Sequence, residues 1–282
     1  MTVPPRFNLN VFTEIQRQLD ADEFIHLISG TTLFDQIPIN TIPLRTLKEL
    51  CRAAKVVPLK KNHWLPIEMK NPAELMVYEI LSGFVKIYDR PIPKSKKAKE
   101  EAKNPPALLA WRVPRELLGD FEFTLPKTAP FDHIYATDDC QLLQIPARTI
   151  RDFAVNFPQL YLNIAANLAI KAVKARVRAQ ILRLPNIESM VAQLFIELLK
   201  ERNPRREGTH KFVVNGTFHI DDIAAFLGYE YRSTQAAVHK LIADDYIEHY
   251  QNNKKSGRFE IRNLEGLETL VEQELEKARE SH

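Results

Sequence analysis

The segment from Ile220 to Glu248, IDDIAAFLGYEYRSTQAAVHKLIADDYIE, constrains the fold most, because two short amphipathic patterns meet there at a glycine. Apolar residues recur at intervals of three and four on both sides of Gly228, which predicts two helices joined by a sharp turn. Asp221 falls near the positive N-terminal end of the first helix. The predicted inward-facing residues are Ile223, Phe226, Leu227, Ala237, Val238 and Leu241.

The flanking sequences complete a small module over residues 205–262. KFVVNGTFHI, ending at Ile220, predicts a short strand and a turn. YIEHYQNNKKSGRFEIRN, beginning at Tyr246, predicts a β-hairpin with a basic tip. A strand, a helix, a turn, a second helix and a hairpin together form a winged helix-turn-helix, whose second helix enters the major groove of DNA.

The second helix and the hairpin tip carry side chains suited to DNA. Arginine and glutamine can read base edges, with about 1–3 kcal/mol of discrimination for each good pair. Hydroxyl and cationic side chains suit phosphates. Any one of these side chains could equally be a solvated surface residue, so the hypothesis depends on their sharing one surface. The predicted DNA-binding residues are Tyr231, Arg232, Ser233, Gln235, Ala236, His239, Lys240, Lys254, Lys255 and Arg258.

The part of the chain before this module changes from helical to β periodicity. Residues 9–30 and 43–55 predict short helices, whereas residues 56–146 contain short β-branched and aromatic runs separated by turn residues. These runs predict an antiparallel sandwich or barrel. Within it, RPIPKSKKAKEEAKNPP (residues 90–106) is charged and flanked by prolines. A solvated loop is the favoured interpretation, with contact to DNA or an acidic partner as the alternative.

A long helix is predicted between Pro158 and Pro185. Its apolar residues repeat every three or four positions, as in a coiled coil, so this row needs a partner. Packing on the chain's own β domain is one option, and pairing with the same helix of a second chain is the favoured one. The predicted dimer interface is Tyr161, Ile164, Leu168, Ala172, Ala175, Ala179 and Leu182. A further amphipathic helix, IESMVAQLFIELLKER, follows Pro185.

Composition and motif searches exclude several classes of function. The net charge is +3 over 282 residues, which permits an anionic partner without requiring one. Cys51 and Cys140 are predicted to be buried thiols, and no clustered Cys/His spacing supports a metal or a cofactor. No catalytic motif is found, so the chain is not expected to be an enzyme. No leader sequence and no apolar run of about 20 residues is found, which predicts a cytoplasmic protein without a membrane partner.

The order of β domain, long helix and winged helix resembles the Crp–Fnr superfamily of bacterial transcription regulators. The resemblance covers residues 35–262, and its most specific motifs are YEILSGFVKIY from Tyr78, RELLGDF from Arg115, and the helix-turn-helix segment. It implies an α+β fold with an N-terminal antiparallel β-roll of the cyclic-nucleotide-binding, jelly-roll type, a long dimerisation helix and a C-terminal winged helix-turn-helix.

The resemblance also implies a domain arrangement and partners. The predicted parts are a helical extension (1–34), the β-roll (35–150), the dimerisation helix region (151–184) and the DNA-binding domain (185–282). The expected partners are double-stranded DNA with a palindromic operator and a second copy of the chain, and the resemblance allows RNA polymerase as a further partner.

The effector site of the family is only partly matched. The residues placed there by the resemblance are Gly119, Asp120, Lys127, Ala175 and Arg176. Asp120 stands where cyclic-AMP-binding members carry a glutamate, and Pro130 and Phe131 stand where an Arg-Ser pair is expected. Binding of cyclic AMP through the usual phosphate site is therefore not expected. The pocket could be vestigial, could serve another effector, or could be filled by the protein's own side chains.

The second helix departs from the family as well. Many relatives carry a glutamate and two arginines there, and this chain has Tyr231, Arg232 and Ala236 at the corresponding places, which predicts a different operator. The favoured function is a dimeric, sequence-specific regulator of transcription. The alternatives are the same architecture switched by a non-standard effector, and a protein-interaction module without an operator.

Overall fold

Two units make up the computed structural model, which describes residues 21–65, 75–91, 106–125, 133–202, 212–214, 219–252 and 256–280. One unit comprises Met1–Pro91 and Leu109–Ala172, and the other comprises Ile92–Leu108 and Val173–His282. Most of the predicted N-terminal helical segment and of the lysine-rich loop lies outside the described residues. The predicted domain boundaries remain a prediction.

The first unit contains a β domain with helices before and after it. Its helices are α1 (Ala21–Ile28), α2 (Leu44–Ala53), α3 (Asp120–Thr124) and α4 (Ala147–Ala154). Its strands are β1 (Lys55–Leu59), β2 (Met76–Ser82), β3 (Val85–Tyr88), β4 (Leu108–Arg112), β5 (Leu117–Leu118), β6 (His133–Ala136) and β7 (Cys140–Pro146). A short 3₁₀ turn covers Ile39–Thr41.

The strands form two sheets in the orders β1-β7-β2-β5 and β4-β3-β6. The registered pairs are antiparallel, for example Lys55 opposite Gln144 and Val85 opposite Ala136. Among the described strands, β1 lies at the edge of its sheet, and its Pro58 lies opposite Gln141 of β7. The predicted α+β class with an antiparallel sheet is confirmed.

Buried side chains in the first unit form two apolar clusters. One joins α1, α2, α4 and one face of the larger sheet, with Phe24 and Ile28 fully buried beside Val77 and Leu143. The other lies around β2, β3, β6 and β7 and includes Ile80 among its fully buried residues. Because α1 contributes to the first cluster, the described part of the N-terminal extension covers the β domain.

A buried carboxylate on β2 holds the chain that follows α1. Glu79 accepts hydrogen bonds from the backbone N–H of Thr32 at 2.6 Å and of Leu33 at 3.0 Å. Burial raises the pKa of Glu79 to about 7, and the two backbone donors oppose this rise. The N-terminal segment is therefore attached to the sheet through a group that titrates near neutral pH.

Helix α5 (Gln159–Ile181) runs through the boundary between the two units and ends four residues before Pro185. The second unit continues with α6 (Ile187–Arg202), β8 (Phe212–Val214), α7 (Ile220–Leu227), α8 (Tyr231–Ala243), β9 (Ile247–Asn252), β10 (Ser256–Ile261) and α9 (Leu264–Glu280). Its antiparallel sheet has the order β8-β10-β9. Among the described residues, no helix is both long and apolar enough to cross a membrane.

The core of the second unit centres on α6. Phe195 of α6 packs on Phe259 of β10 with ring centroids 4.9 Å apart, and Val238 and Leu241 of α8 are fully buried. Helix α9, which follows the hairpin, was not predicted from the sequence. It buries Leu267 and Val271, and its Glu274 accepts a hydrogen bond from Asn186 at 2.6 Å.

Candidate DNA-binding face and effector region

The turn between α7 and α8 is built around Gly228. Gly228 has φ of 74°, a left-handed conformation that glycine adopts with little strain. The N–H groups of Gly228 and Tyr229 both donate to the carbonyl of Ala224, at 2.9 and 3.1 Å, which ends α7. All six residues predicted to face inward on the two helices are buried. The turn and the buried residues together fix the direction of α8.

The outward face of α8 contains the DNA-binding residues predicted for this helix. Tyr231, Arg232, Ser233, Ala236, His239 and Lys240 are exposed, and Gln235 is half-buried. On a helix that turns about 100° per residue, Arg232, Ala236 and His239 lie within about 60° of one another. These three residues therefore share the centre of one exposed face.

The wing is described only in part. Lys254 and Lys255 lie outside the described residues, and Arg258 belongs to β10 without a described side chain. β9 and β10 pair from Ile247 opposite Ile261 to Asn252 opposite Ser256, as the sequence predicts for a hairpin. The contribution of these three cations to DNA binding remains a prediction.

Lys240 has an acidic partner that the sequence did not reveal. Its Nζ lies 2.5 Å from Oε2 of Glu188, in the first turn of α6. The hydrogen bond and the charge of Glu188 raise the pKa of Lys240, and Asp244 and Glu274 add to this rise. The two partners are 52 residues apart, so no local pattern could predict the pair.

The end of α5 contacts the first helix of the helix-turn-helix. Arg178 donates from Nη2 to the carbonyl of Phe226 at 2.8 Å, and its guanidinium carbon lies 4.6 Å from the centroid of the Phe226 ring. Partial burial lowers the pKa of Arg178. Because Phe226 is in the last turn of α7, the cation also lies near the negative end of that helix. Arg178 therefore fixes α7 to α5.

The effector region of the first unit begins with a glycine at the start of α3. Gly119 has φ of 76°, and a Cβ added there would lie 2.5 Å from the carbonyl oxygen of Met76. Only glycine fits this position without a shift of β2, because both the conformation and the space exclude a side chain. Asp120, the next residue, is 1% exposed.

Asp120 is bound by a lysine of α5. Nζ of Lys171 lies 2.5 Å from Oδ1 of Asp120 and also donates to the carbonyl of Leu117 at 2.7 Å. Burial lowers the pKa of Lys171, and the charge of Asp120 opposes this effect. The ammonium group lies 5.3 Å from the centroid of the Phe121 ring. The carboxylate predicted to face an effector is thus paired with the protein's own amine.

Three further residues were predicted for the effector pocket. Lys127 lies outside the described residues, and Ala175 and Arg176 are exposed on the part of α5 that belongs to the second unit. Within the described residues, no group of three or more His, Cys, Asp or Glu side chains could hold a metal ion.

A cavity of about 250 Å³ lies between α3, α4 and α5 in the first unit. Phe123, Tyr161, Ile164 and Leu168 line it together with the side chain of Arg151. Arg151 donates to the carbonyl of Phe123 at 3.3 Å, and its guanidinium carbon lies 5.0 Å from the centroid of the Phe123 ring. The cavity therefore combines apolar walls with a cation. It was not predicted from the sequence.

The apolar row predicted as the dimer interface contains buried and exposed residues, and its role in a dimer remains a prediction. Ile164 is 3% exposed in the core of its own unit, and Leu168 is partly buried against the same core. The other predicted members are exposed: Tyr161, Ala172, Ala175, Ala179 and Leu182. Leu182 follows the last residue of α5. Helix α5 is apolar on two faces, and its sequence repeat alone does not say which face packs on the β domain.

The second apolar face of α5 points outward. Leu162 and Val173 are 62% and 61% exposed, and Ile170 is 50% exposed. Leu162, Ala166, Ala169 and Val173 are spaced by four, three and four residues, which is the spacing of a coiled-coil seam. Exposed apolar rows of this kind mark interaction sites.

No protein-family model matches the sequence. No curated protein matches it either.

Solved structures with a similar fold are found. FixK2 from Bradyrhizobium japonicum has a TM-score of 0.56 at 17% identity, over 77% of this chain and 96% of that chain. A putative transcriptional regulator of the Crp/Fnr family from Eubacterium rectale has a TM-score of 0.56 at 16% identity, over 84% of this chain and 98% of that chain. A transcriptional regulator of the Crp/Fnr family from Thermus thermophilus has a TM-score of 0.55 at 21% identity, over 77% of this chain and 98% of that chain. This chain therefore has the fold of the Crp/Fnr transcription regulators, as its motifs predicted.

Proposed function

We propose that this chain is a homodimeric, sequence-specific DNA-binding regulator of transcription, of the Crp/Fnr type and without catalytic activity. The observation that carries the proposal is the exposed face of α8, where Arg232, Ala236 and His239 are presented by a helix that Gly228 and a buried inner face hold in place. In a winged helix, such a face enters the major groove. An arginine there can bind a guanine edge through two hydrogen bonds.

Binding to genomic DNA fragments across a salt series, followed by sequencing of the retained DNA, tests the proposal. We expect palindromic sites to remain enriched at moderate salt, and the enrichment to disappear in the Arg232→Ala/Gln235→Ala variant. Arg45→Ala is the matched control, because Arg45 is an exposed arginine of α2 and its loss changes the net charge equally. Weak binding that is equal for all sequences and is lost steeply with salt would contradict sequence-specific recognition. Absence of salt-sensitive binding would instead favour a protein-docking module.

The outward apolar row of α5 supports the homodimer. Two copies related by a two-fold axis would present two α8 helices to half-sites about 34–36 Å apart. Val173→Glu should dissociate the dimer in sedimentation experiments, because it places a charge in the apolar seam. Val155→Glu is the matched control, since Val155 is 79% exposed and lies outside α5. Equal effects of the two substitutions would contradict a seam on this face.

The pairing of Asp120 with Lys171 supports a regulator that does not respond to cyclic AMP through the usual phosphate site. The carboxylate is 1% exposed and already bound to an amine, so a ligand would have to break a buried ion pair to use it. Millimolar cyclic AMP should leave the affinity for the operator and the thermal unfolding temperature unchanged. A tenfold change in DNA affinity would contradict this part of the proposal.

The cavity beside Arg151 supports a second candidate, in which a small apolar acid switches the same architecture. Its walls suit an apolar body, and the guanidinium suits a carboxylate. Benzoate and hexanoate are suitable probes, with benzamide and hexanamide as uncharged controls. We expect the acids alone to raise the unfolding temperature and to lose this effect in Arg151→Gln. Equal effects of acids and amides would contradict the charged site.

A further inference from the structure

Lys240 is a predicted phosphate ligand with unfavourable surroundings for that role. Its ammonium lies 2.5 Å from a carboxylate oxygen of Glu188, whose side chain is 17% exposed, whereas the side chain of Lys240 is 60% exposed. Glu188 lies in the first turn of α6, where the helix dipole stabilises a negative charge. The acid is therefore the better-fixed partner, and it holds the mobile end of the lysine.

Other acids add to this arrangement. Asp244 follows α8, and Glu274 of α9 is positioned by a hydrogen bond from Asn186 at 2.6 Å, two residues before Glu188. For Lys240 to contact a phosphate, it would have to leave Glu188, and the phosphate would then approach the released carboxylate. Both steps oppose binding, because a lysine that is already neutralised contributes little to counterion release from DNA.

We propose that Glu188 is a positioning residue that withholds Lys240 from the DNA backbone, so that α8 binds through the residues of its outward face that precede Lys240. This inference rests on the DNA-binding function proposed above. On an ideal helix, Lys240 lies about 80° from Arg232, at the side of the face that would enter the groove. Glu188 thereby lowers the affinity for the DNA backbone, which does not depend on base sequence. Base contacts then account for a larger share of the total affinity.

The salt dependence of DNA affinity tests the inference. The proteins to compare are full-length wild type, Lys240→Gln, Glu188→Gln and the double variant, each titrated with one operator fragment between about 50 and 200 mM salt, the range over which phosphate contacts change affinity most visibly. Glu197→Gln is the matched control, because Glu197 lies on the same helix and pairs with Lys200 at 2.9 Å. Thermal unfolding of each variant confirms that it is folded.

We expect wild type, Lys240→Gln and Glu197→Gln to share one slope of log affinity against log salt. Glu188→Gln should be steeper by about 0.9, the value for one additional phosphate contact. Over a fourfold change in salt, this slope corresponds to about a 3.5-fold larger change in affinity. The double variant should return to the wild-type slope, because no lysine remains to be released.

Three results would overturn the inference. A shallower slope in Lys240→Gln than in wild type would mean that Lys240 already contacts phosphate despite Glu188. A slope in Glu188→Gln that equals the wild-type slope would mean that the released lysine does not reach DNA. Equal increases in slope in Glu188→Gln and in the double variant would mean that Glu188 acts by direct repulsion of phosphate alone. Failure of wild type and Glu188→Gln to bind any DNA at the lowest salt concentration would instead overturn the proposed function, and the inference with it.

Discussion

Asp120→Asn should strongly destabilise the first unit, because it leaves the ammonium of Lys171 buried without its carboxylate. The side chains of Lys171 and Asp120 are 4% and 1% exposed, so water cannot replace the lost partner. Removing one member of a buried ion pair costs about 3–5 kcal/mol, whereas removing both can be nearly neutral. The double variant Asp120→Asn/Lys171→Met should therefore lose less stability than Asp120→Asn alone.

Urea unfolding followed by tryptophan fluorescence measures this effect in the right part of the chain. The chain has two tryptophans, Trp64 and Trp111, and both belong to the first unit. The matched control is Glu49→Gln, which breaks an exposed pair with Arg45 at 3.1 Å in the same unit. That substitution should cost no more than about 0.5 kcal/mol.

The pH dependence provides a second test of the same pair. Burial lowers the pKa of Lys171 from its ordinary value of 10.5, so the folded state binds fewer protons than the unfolded state below that value, and stability rises with pH. Asp120→Asn removes the charge that opposes this shift. The difference in unfolding free energy between Asp120→Asn and the double variant should therefore shrink as the pH rises from neutral towards the ordinary pKa of lysine. A cost below about 1 kcal/mol for Asp120→Asn, or strictly additive single variants, would refute a coupled buried pair.

Three further experiments test other contacts. The wild type should lose up to about 3 kcal/mol of stability between pH 4.5 and 7, because the raised pKa of Glu79 favours folding only while the group is protonated. Glu79→Gln should abolish this loss. Urea unfolding of both proteins at the two pH values checks it. Gly119→Ala should lower the unfolding temperature more than Gly228→Ala, since both residues have positive φ and only Gly119 faces a backbone oxygen within 4 Å. Arg178→Met should lower DNA affinity, because Arg178 contacts Phe226 and holds α7 in place. It should leave the salt slope of that affinity unchanged. Titrations of the operator at several salt concentrations measure affinity and slope separately.

Local signals were sufficient to predict the helix-turn-helix. Gly228 separates two apolar patterns whose predicted inward residues are all buried, and the turn needs no information from distant parts of the chain. The strands around β6 and β7 were also predictable, because their burial alternates or nearly alternates as their sequences do. For both elements, the residue that determines the structure lies within a few positions of the residue it affects.

Contacts between distant residues were not predictable in the same way. Lys171 and Asp120 are 51 residues apart, and a lysine on a helix is normally solvated, so no local pattern predicts their buried pair. The sequence also did not separate the two apolar faces of α5, on which Ile164 is buried and Leu162 is exposed. Helix α9 had a local signal that was missed: Leu267 and Val271 are spaced by four residues after Asn263, which accepts a hydrogen bond from the N–H of Gly266.

The proline in β1 has a consequence for assembly. An open sheet edge can accept a strand from another molecule, which leads to uncontrolled association. Pro58 lies in the edge strand and has no N–H to offer, so an incoming strand would lose a donor at that point of the ladder. The edge beside β1 is thus a poor template for growth by strand addition. The dimer proposed for the exposed face of α5 would then compete less with open-ended growth by strand addition.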